Sequence, residues 1–320
     1  MPDYHLIAAE FALGRVRTVT PLSGGGSDVA KLTTTSGVWV VKPGRDRTSA
    51  ELYPRVASVL NAAGLRQAVP CLTVTGSAVS ASGYTVQEFL PGQVCLRPTA
   101  AQIVATMRHV AEYHETLKAL PSPAELSIVD SIWRRVASAG FLLREVPGLL
   151  VQPGRLPEPA WRTDARQMVG VALGLVHDSL PLTDPLPRQL VHGDIGPDNV
   201  LMDGDDVVAI LDFTAHEQPY LFALSTAVYW YHIYGRDHLD VAAISASLAA
   251  AAPSRSWTDL EAAAWPAMLI REALRRLATP LAVAEEAGTS PDPVTTAARC
   301  KAVESVIQAW PNLPDLPYPP

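Results

Sequence analysis

Residues 190–213 read LVHGDIGPDNVLMDGDDVVAILDF. Short apolar runs alternate there with acid. Asp194 and Asn199 stand in a loop entered from Leu190-Val191 and left through Val200-Leu201-Met202, and Asp212 ends the strand-like VVAILD. A carboxylate and an amide oxygen at the ends of such short strands can meet at one point. Together they form a hard-oxygen set suited to Mg²⁺, which takes a few protein oxygens and completes its shell with water and substrate phosphate. Asp194 is then left to accept a proton from a hydroxyl group. Asp198, Asp203, Asp205 and Asp206 read as ordinary loop and turn residues. The plain alternative is a polar hairpin whose Asp and Asn cap turns; each residue alone fits it, but their joint spacing argues against it.

The whole chain gives that stretch its setting. With 320 residues, 48% hydrophobic and 18% charged, it is long enough for two lobes and a sizeable core. Charge is unevenly divided. Residues 1–94 hold 8 Lys+Arg against 6 Asp+Glu (net +2) and residues 95–320 hold 17 against 26 (net −9), summing to the overall −7. With no basic stripe to meet phosphates, nucleic acid is not an expected partner. No apolar run reaches membrane-spanning length, and MPDYHLIAAE has no signal pattern, so neither membrane nor export is expected. Cys71, Cys95 and Cys300 are scattered and odd in number, which points to a reduced, cytoplasmic setting.

GRVRTVTPL, VAKLTTT and GVWVVK are β-branched, are separated by SGGGS and SG, and predict an antiparallel three-strand meander. A helix is expected over 49–65, starting near Glu51 because Pro54 is tolerated only in a first turn. Strands are expected around Cys71–Val79 and Tyr84–Phe89. Beyond Leu90-Pro91-Gly92 the pattern turns helical, with candidates at 99–119, 126–146, 159–180, 219–234, 238–252, 257–278 and 292–309. The expected division is a β lobe over residues 1–90 and a helical lobe over 91–320.

Asp-x4-Asn followed by a strand-ending Asp-Phe is the pattern of the protein-kinase catalytic and metal loops. With His192-Gly193-Asp194 at its head, the sequence resembles the aminoglycoside phosphotransferase family, which includes homoserine-kinase-like and choline-kinase-like members. The resemblance implies an α+β, bilobal protein-kinase-like fold, with a small antiparallel sheet lobe carrying one helix and a large helical lobe. It also implies ATP, with GTP the open alternative, and Mg²⁺ held by Asn199 and Asp212. Lys42, ending the third strand, would meet the nucleotide phosphates, with Glu51 as its ion-pair partner. The Ser23-Gly24-Gly25-Gly26-Ser27 loop would bring backbone N–H groups to the phosphates. The carbonyl of Glu88 and the N–H of Leu90 would hold the base.

Two departures refine the resemblance. Gly193 replaces the arginine that receives a phosphorylated activation loop, and no Ala-Pro-Glu follows, so a protein substrate is not expected. Phe222 stands where relatives carry the Asp that braces the catalytic loop, so the bracing falls to another group, His192 or His216. Candidate substrate contacts are His216, Glu217, Tyr229, Trp230, Trp133 and Trp161, the aromatics suiting a ring-bearing small molecule. The acid of the second lobe suits a cationic aminoglycoside. His114 reads as structural. Three functions are carried forward: an antibiotic or natural-product O-phosphotransferase, a metabolic kinase of the homoserine or choline type, and an inactive nucleotide-binding relative.

Overall fold

A computed structural model describes residues 2–22, 29–44, 46–121, 132–151, 160–236 and 238–316. The glycine-rich loop Ser23–Ser27 lies outside them, as does most of the first half of the helix expected over 126–146. Side chains are not described at the start of the helix holding Trp161.

The chain opens on helix α1 (Tyr4–Glu10), which the meander pattern did not suggest; Asp3 caps it by accepting from the amides of His5 and Leu6. Four antiparallel strands follow in spatial order β1 (Val16–Pro21), β2 (Ala30–Thr34), β3 (Val38–Pro43) and β4 (Tyr84–Glu88). Alternation sets their faces: Ala30, Leu32 and Thr34 point inward while Lys31 and Thr33 do not. Leu32, Val41 and Val86 thus meet Ile7, Phe11 and Leu13 from the α1 segment in a small core. The strand expected over Cys71–Val79 does not form among the described residues; turns around Gly76 occupy it, and pairing is confined to a bridge from Pro70 to Gln87.

Helix α2 (Arg47–Ala62) begins earlier than expected. Asp46 caps it, accepting from the Ser49 amide and hydroxyl, which leaves Pro54 well inside. The proline costs about 3 kcal/mol in a helix interior. Buried Tyr53, Val56, Ala57 and Leu60 each return roughly 1–3 kcal/mol, so packing wins. That buried face is continuous with the core of the large lobe, so α2 joins the helical lobe's packing although it belongs to the β lobe in sequence.

After β5 (Gln93–Val94), the large lobe runs through α3 (Ala100–Leu117), α4 (Ile132–Arg135), α5 (Ala139–Val151), α6 (Ala160–Asp178) and α7 (Leu180–Thr183). Then come β6 (Arg188–His192), β7 (Val200–Asp203), β8 (Asp206–Ile210) and β9 (Ala215–Pro219). These make two small antiparallel units, β5-β7-β8 and β6-β9. Helix α8 (Tyr220–Val228) starts directly after β9, buried on all sides, and passes into a π-turn over Tyr229–Ile233. The chain closes with α9 (Val241–Ala251), α10 (Asp259–Ala287) and α11 (Pro293–Ala309). A Thr258/Glu261 capping box starts α10, and Gly288 ends it in the left-handed region at φ +64°. It runs past the expected end at residue 278 and through Pro280, with Leu281, Ala282 and Ala284 buried beyond it.

Candidate active site

Between the lobes lies a cleft of about 320 Å³ whose lining includes Lys42, Asp46, Asp194, Asp212, Arg275 and Arg276. Its floor is the 190–213 stretch. Residues 188–192 pair with 215–219 as antiparallel neighbours, so the catalytic loop and the exit of the metal loop are bound edge to edge. Between them the Gly193 amide donates to the Thr214 carbonyl at 2.8 Å.

His192 ties the two loops together. Its Nε2 donates to the Leu211 carbonyl at 2.9 Å, and its Nδ1 accepts from the Asp194 amide at 3.2 Å. Burial lowers the pKa of this ring, keeping it neutral and able to donate at one nitrogen while accepting at the other. His114 supports it from α3, fully buried, its Nε2 accepting from the His192 amide at 3.2 Å. The structural role expected of His114 is what the structure has. His216 packs its ring against Phe222, 5.4 Å between centroids, and sits directly on Gly193. A Cβ at residue 193 would lie 2.1 Å from His216 Cδ2. Glycine is required there by contact, and an arginine has no room.

Asn199 closes the catalytic loop. Its Nδ2 donates to the Asp194 carbonyl at 2.8 Å, which turns Oδ1 away from that bond, and its own carbonyl accepts from the Leu211 amide at 2.7 Å. Asp212 takes a left-handed backbone, φ +59°, uncommon for a non-glycine residue and frequent at functional sites. Its carboxylate accepts an ion pair from Lys42 across the cleft. The Lys42 ammonium acts most strongly on Asp212, holding its carboxyl below the usual range against burial.

Glu51 does not pair with Lys42. Its carboxylate accepts from the Ser77 hydroxyl at 2.7 Å and the Ala78 amide at 3.1 Å, and lies 3.8 Å from Arg47 one turn away. Helix α2 is docked instead through its cap. Arg134 of α4 donates to both Asp46 carboxylate oxygens at 2.9 Å, and the Ser49 hydroxyl accepts from the Ala215 amide at 2.8 Å. The early start of α2, one turn before Glu51, aims Glu51 at the 77–78 turn and leaves Asp46 to join the lobes.

The brace replacing the missing Asp at Phe222 comes from α10 together with His192. Arg276 Nη1 donates to Asp194 Oδ1 at 2.8 Å, while Arg275 Nη2 reaches the Gly193 carbonyl at 3.3 Å. Both guanidiniums share the buried carboxylate of Glu272, at 2.6–2.7 Å, which also accepts from the Thr226 hydroxyl at 3.1 Å. Phe222 lies under the Arg275 guanidinium at 4.8 Å, contributing a ring face where a carboxylate was expected. Burial pushes the Asp194 carboxyl up, but Arg276, by charge and hydrogen bond, brings it down to about 2. Arg-Glu-Ala-Leu-Arg-Arg, residues 271–276, falls inside the helix expected over 257–278; its signal in the sequence is charge at otherwise buried helical spacing.

The aromatic candidates divide. Trp133 lines the cleft and is half exposed. Tyr229 is fully buried, edge-on to Trp230 and tilted against Tyr234, so it is core and not a substrate contact. Trp230 packs against Gly196 and under Arg276 at 4.7 Å, supporting the loop from behind. Glu217, on β9, is not among the residues lining the cleft, and its carbonyl accepts from Arg188. Glu88 and Leu90 stand at the end of β4 where the chain crosses between lobes.

The donor chemistry fits Mg²⁺. Among the described residues no group of three His, Cys, Asp or Glu converges for a metal ion. Two oxygens, the oriented Asn199 Oδ1 and the Asp212 carboxylate, are however the protein share expected when phosphates supply the rest.

The model of the phosphotransferase enzyme family matches residues 18–269, and the chain belongs to that family. A homoserine kinase of Methylobacillus glycogenes is 31% identical over 154 residues, 47% of this chain and 48% of the relative. The chain thus spans about half the length of the curated relatives it matches. The fold is that of an aminoglycoside phosphotransferase from Alicyclobacillus acidocaldarius (TM-score 0.65, 15% identity, 98% of this chain and 95% of that one). It is also that of an amicoumacin kinase solved in complex with AMP-PNP, Ca²⁺ and Ami (TM-score 0.63, 14% identity, 96% and 94%). Among the described residues no helix is long and apolar enough to cross a membrane.

Proposed function

We propose that this chain transfers the γ-phosphate of ATP to a hydroxyl of a small molecule. The observation that carries this reading is the meeting of Lys42, Asp194 and Asp212 in one interlobe cleft, with Asn199 bound to the Asp194 carbonyl beside it. Asp194 Oδ1 is taken by Arg276, so Oδ2 is the oxygen that receives the substrate hydroxyl and orients it in line with the phosphate. With its pKa near 2, Asp194 is fully ionised at neutral pH and acts first as an orienting acceptor, taking the proton as the bond to phosphorus forms. Lys42 exchanges Asp212 for the nucleotide phosphates. Asn199 and Asp212 would hold Mg²⁺, which would supply positive charge to the phosphates. The 23–27 loop and the Glu88–Leu90 main chain complete the nucleotide site in this reading.

Of the acceptor classes, a metabolic kinase of the homoserine type is favoured by the matched curated relatives, which are homoserine kinases. The antibiotic reading is supported by the family and by the likeness of fold to an aminoglycoside phosphotransferase and an amicoumacin kinase, at 15% and 14% identity. A cationic aminoglycoside finds little to bind, because the three aspartates lining the cleft are each ion-paired, Asp46 with Arg134, Asp194 with Arg276 and Asp212 with Lys42. An inactive relative is disfavoured by the intact catalytic set. The test is Asp194→Asn: ADP production with a hydroxylated acceptor should fall about 10²–10⁴-fold, with nucleotide affinity retained in calorimetry. Undiminished turnover would remove Asp194 from its role.

A further inference from the structure

Glu51 is bound to the 77–78 turn, but another residue of α2 lines the cleft. Two positions along a helix is about 200° around its axis, so Tyr53 leaves α2 on nearly the opposite side from Glu51. Its ring stacks on Phe213 of the metal loop, 6.1 Å between centroids and 20° between planes. It is 8% exposed and shares a core with Val56, Ala57 and Leu60. Yet its hydroxyl is buried and, among the described residues, has no hydrogen-bond partner. A phenylalanine would keep the same stack without leaving a polar group unpaired, so the hydroxyl calls for a partner that the free protein does not supply.

One anion stands beside it. Asp212 immediately precedes Phe213, and its charge adds to burial in raising the pKa of the phenol, which therefore stays protonated and can donate. In the free protein Lys42 holds Asp212 through Oδ1. The left-handed backbone of Asp212, φ +59°, persists only with support from its surroundings. A nucleotide whose phosphates take Lys42 removes that support when the carboxylate must be aimed at a cation. Hydrogen bonds from outside the ligand set commonly orient a carboxylate that binds a metal.

We propose that the Tyr53 hydroxyl donates to the Asp212 carboxylate once nucleotide draws Lys42 away, and so keeps that carboxylate aimed at Mg²⁺. This rests on the kinase reading above, because it uses the Mg²⁺ assigned there to Asn199 and Asp212. Tyr53 is a positioning residue; it acts through Asp212 and takes no part in bond making. Tyr113 of α3 is the matched control. Its hydroxyl is also buried without a partner among the described residues, and its ring lies 6.2 Å from His192, but it does not line the cleft.

The test sets Tyr53→Phe beside Tyr113→Phe. Calorimetry reads AMP-PNP binding in Mg²⁺ and in EDTA, and urea unfolding reads the stability of the free protein. Tyr53→Phe should unfold at the wild-type urea concentration or above it, since the free protein loses no bond. It should keep metal-free AMP-PNP affinity within about twofold and lose about tenfold or more of the affinity that Mg²⁺ adds. Tyr113→Phe should keep that gain. In turnover, the Mg²⁺ concentration for half-maximal rate should rise by a similar factor in Tyr53→Phe, with acceptor KM unchanged. The calorimetric loss supports the proposal even if no acceptor is phosphorylated, a result that would count against the kinase reading alone. A lowered urea midpoint, equal weakening with and without Mg²⁺, no Mg²⁺-dependent gain in the wild type, or the same loss in Tyr113→Phe would each overturn it.

Discussion

Arg276, on α10, donates to the carboxylate of Asp194 at 2.8 Å across 82 residues of sequence, and its other nitrogens hold the buried Glu272 and the Gly193 carbonyl. The group that makes Asp194 a strong acid is thus also the group that holds its loop. Charge on the acceptor oxygen and placement of the acceptor oxygen come from one side chain.

Arg276→Met separates these effects in pH. With the guanidinium gone, burial acts on Asp194 with only weaker opposition, and its carboxyl rises from about 2. The acid limb of the kcat/KM profile should then move to higher pH. The stability consequence has a definite sign. The native carboxyl lies below its ordinary 3.8, so its contribution is complete above about pH 4 and is lost as pH falls towards 2. Urea unfolding followed between pH 5 and pH 2 should show a shallower decline in the variant than in the wild type.

Gly193→Ala sets a Cβ into the His216 ring, 2.1 Å from Cδ2. Overpacking at such a site costs on the order of 1–3 kcal/mol, and the displaced loop should lower kcat at least tenfold. His216→Ala makes the space, so the double variant should recover stability relative to Gly193→Ala. A coupling below about 0.5 kcal/mol in chemical denaturation would show that the ring is not what excludes the side chain.

His192→Ala removes the link between the Asp194 amide and the Leu211 carbonyl. Both polar groups lose their partner near a buried floor, and Asp194 loses its register with Asp212. Turnover should fall about 10²-fold, with the change in kcat and not in acceptor KM. Steady-state kinetics distinguish this from general destabilisation, which would lower active enzyme without altering either constant per folded molecule.

Asp46 and Arg134 form the interlobe pair that Glu51 and Lys42 do not. Each single alanine variant should lose roughly 1–3 kcal/mol, and the coupling between them should exceed about 1 kcal/mol. Because Asp46 also caps α2, Asp46→Ala is expected to cost more than Arg134→Ala. Glu51→Gln should change ATP KM little, since its partners are Ser77 and Ala78.

Much of this protein is written locally. His192 to Phe213 holds its site in one short run, because a loop closed by two adjacent strand pairs needs only short-range spacing to bring Asp194, Asn199 and Asp212 together. Lys42 was legible from its place at the end of a β-branched strand. The α+β, two-lobed order of elements followed from hydrophobic periods of two and then 3.6. What the residues alone did not decide is which charges meet. Glu51 stands in a plausible place for Lys42, but the helix starts one turn earlier at Asp46, and rotation about the α2 axis carries Glu51 to Ser77. Nothing local to Arg275 and Arg276 tells that they cross to Asp194, for their burial is set by the packing of α10 against α8 and not by their own helix. Gly193 likewise reads as a missing arginine until β9 lays His216 on it. Short-range spacing determined where Asp194, Asn199 and Asp212, the groups proposed for catalysis, stand in the chain; long-range packing decided which charges they meet.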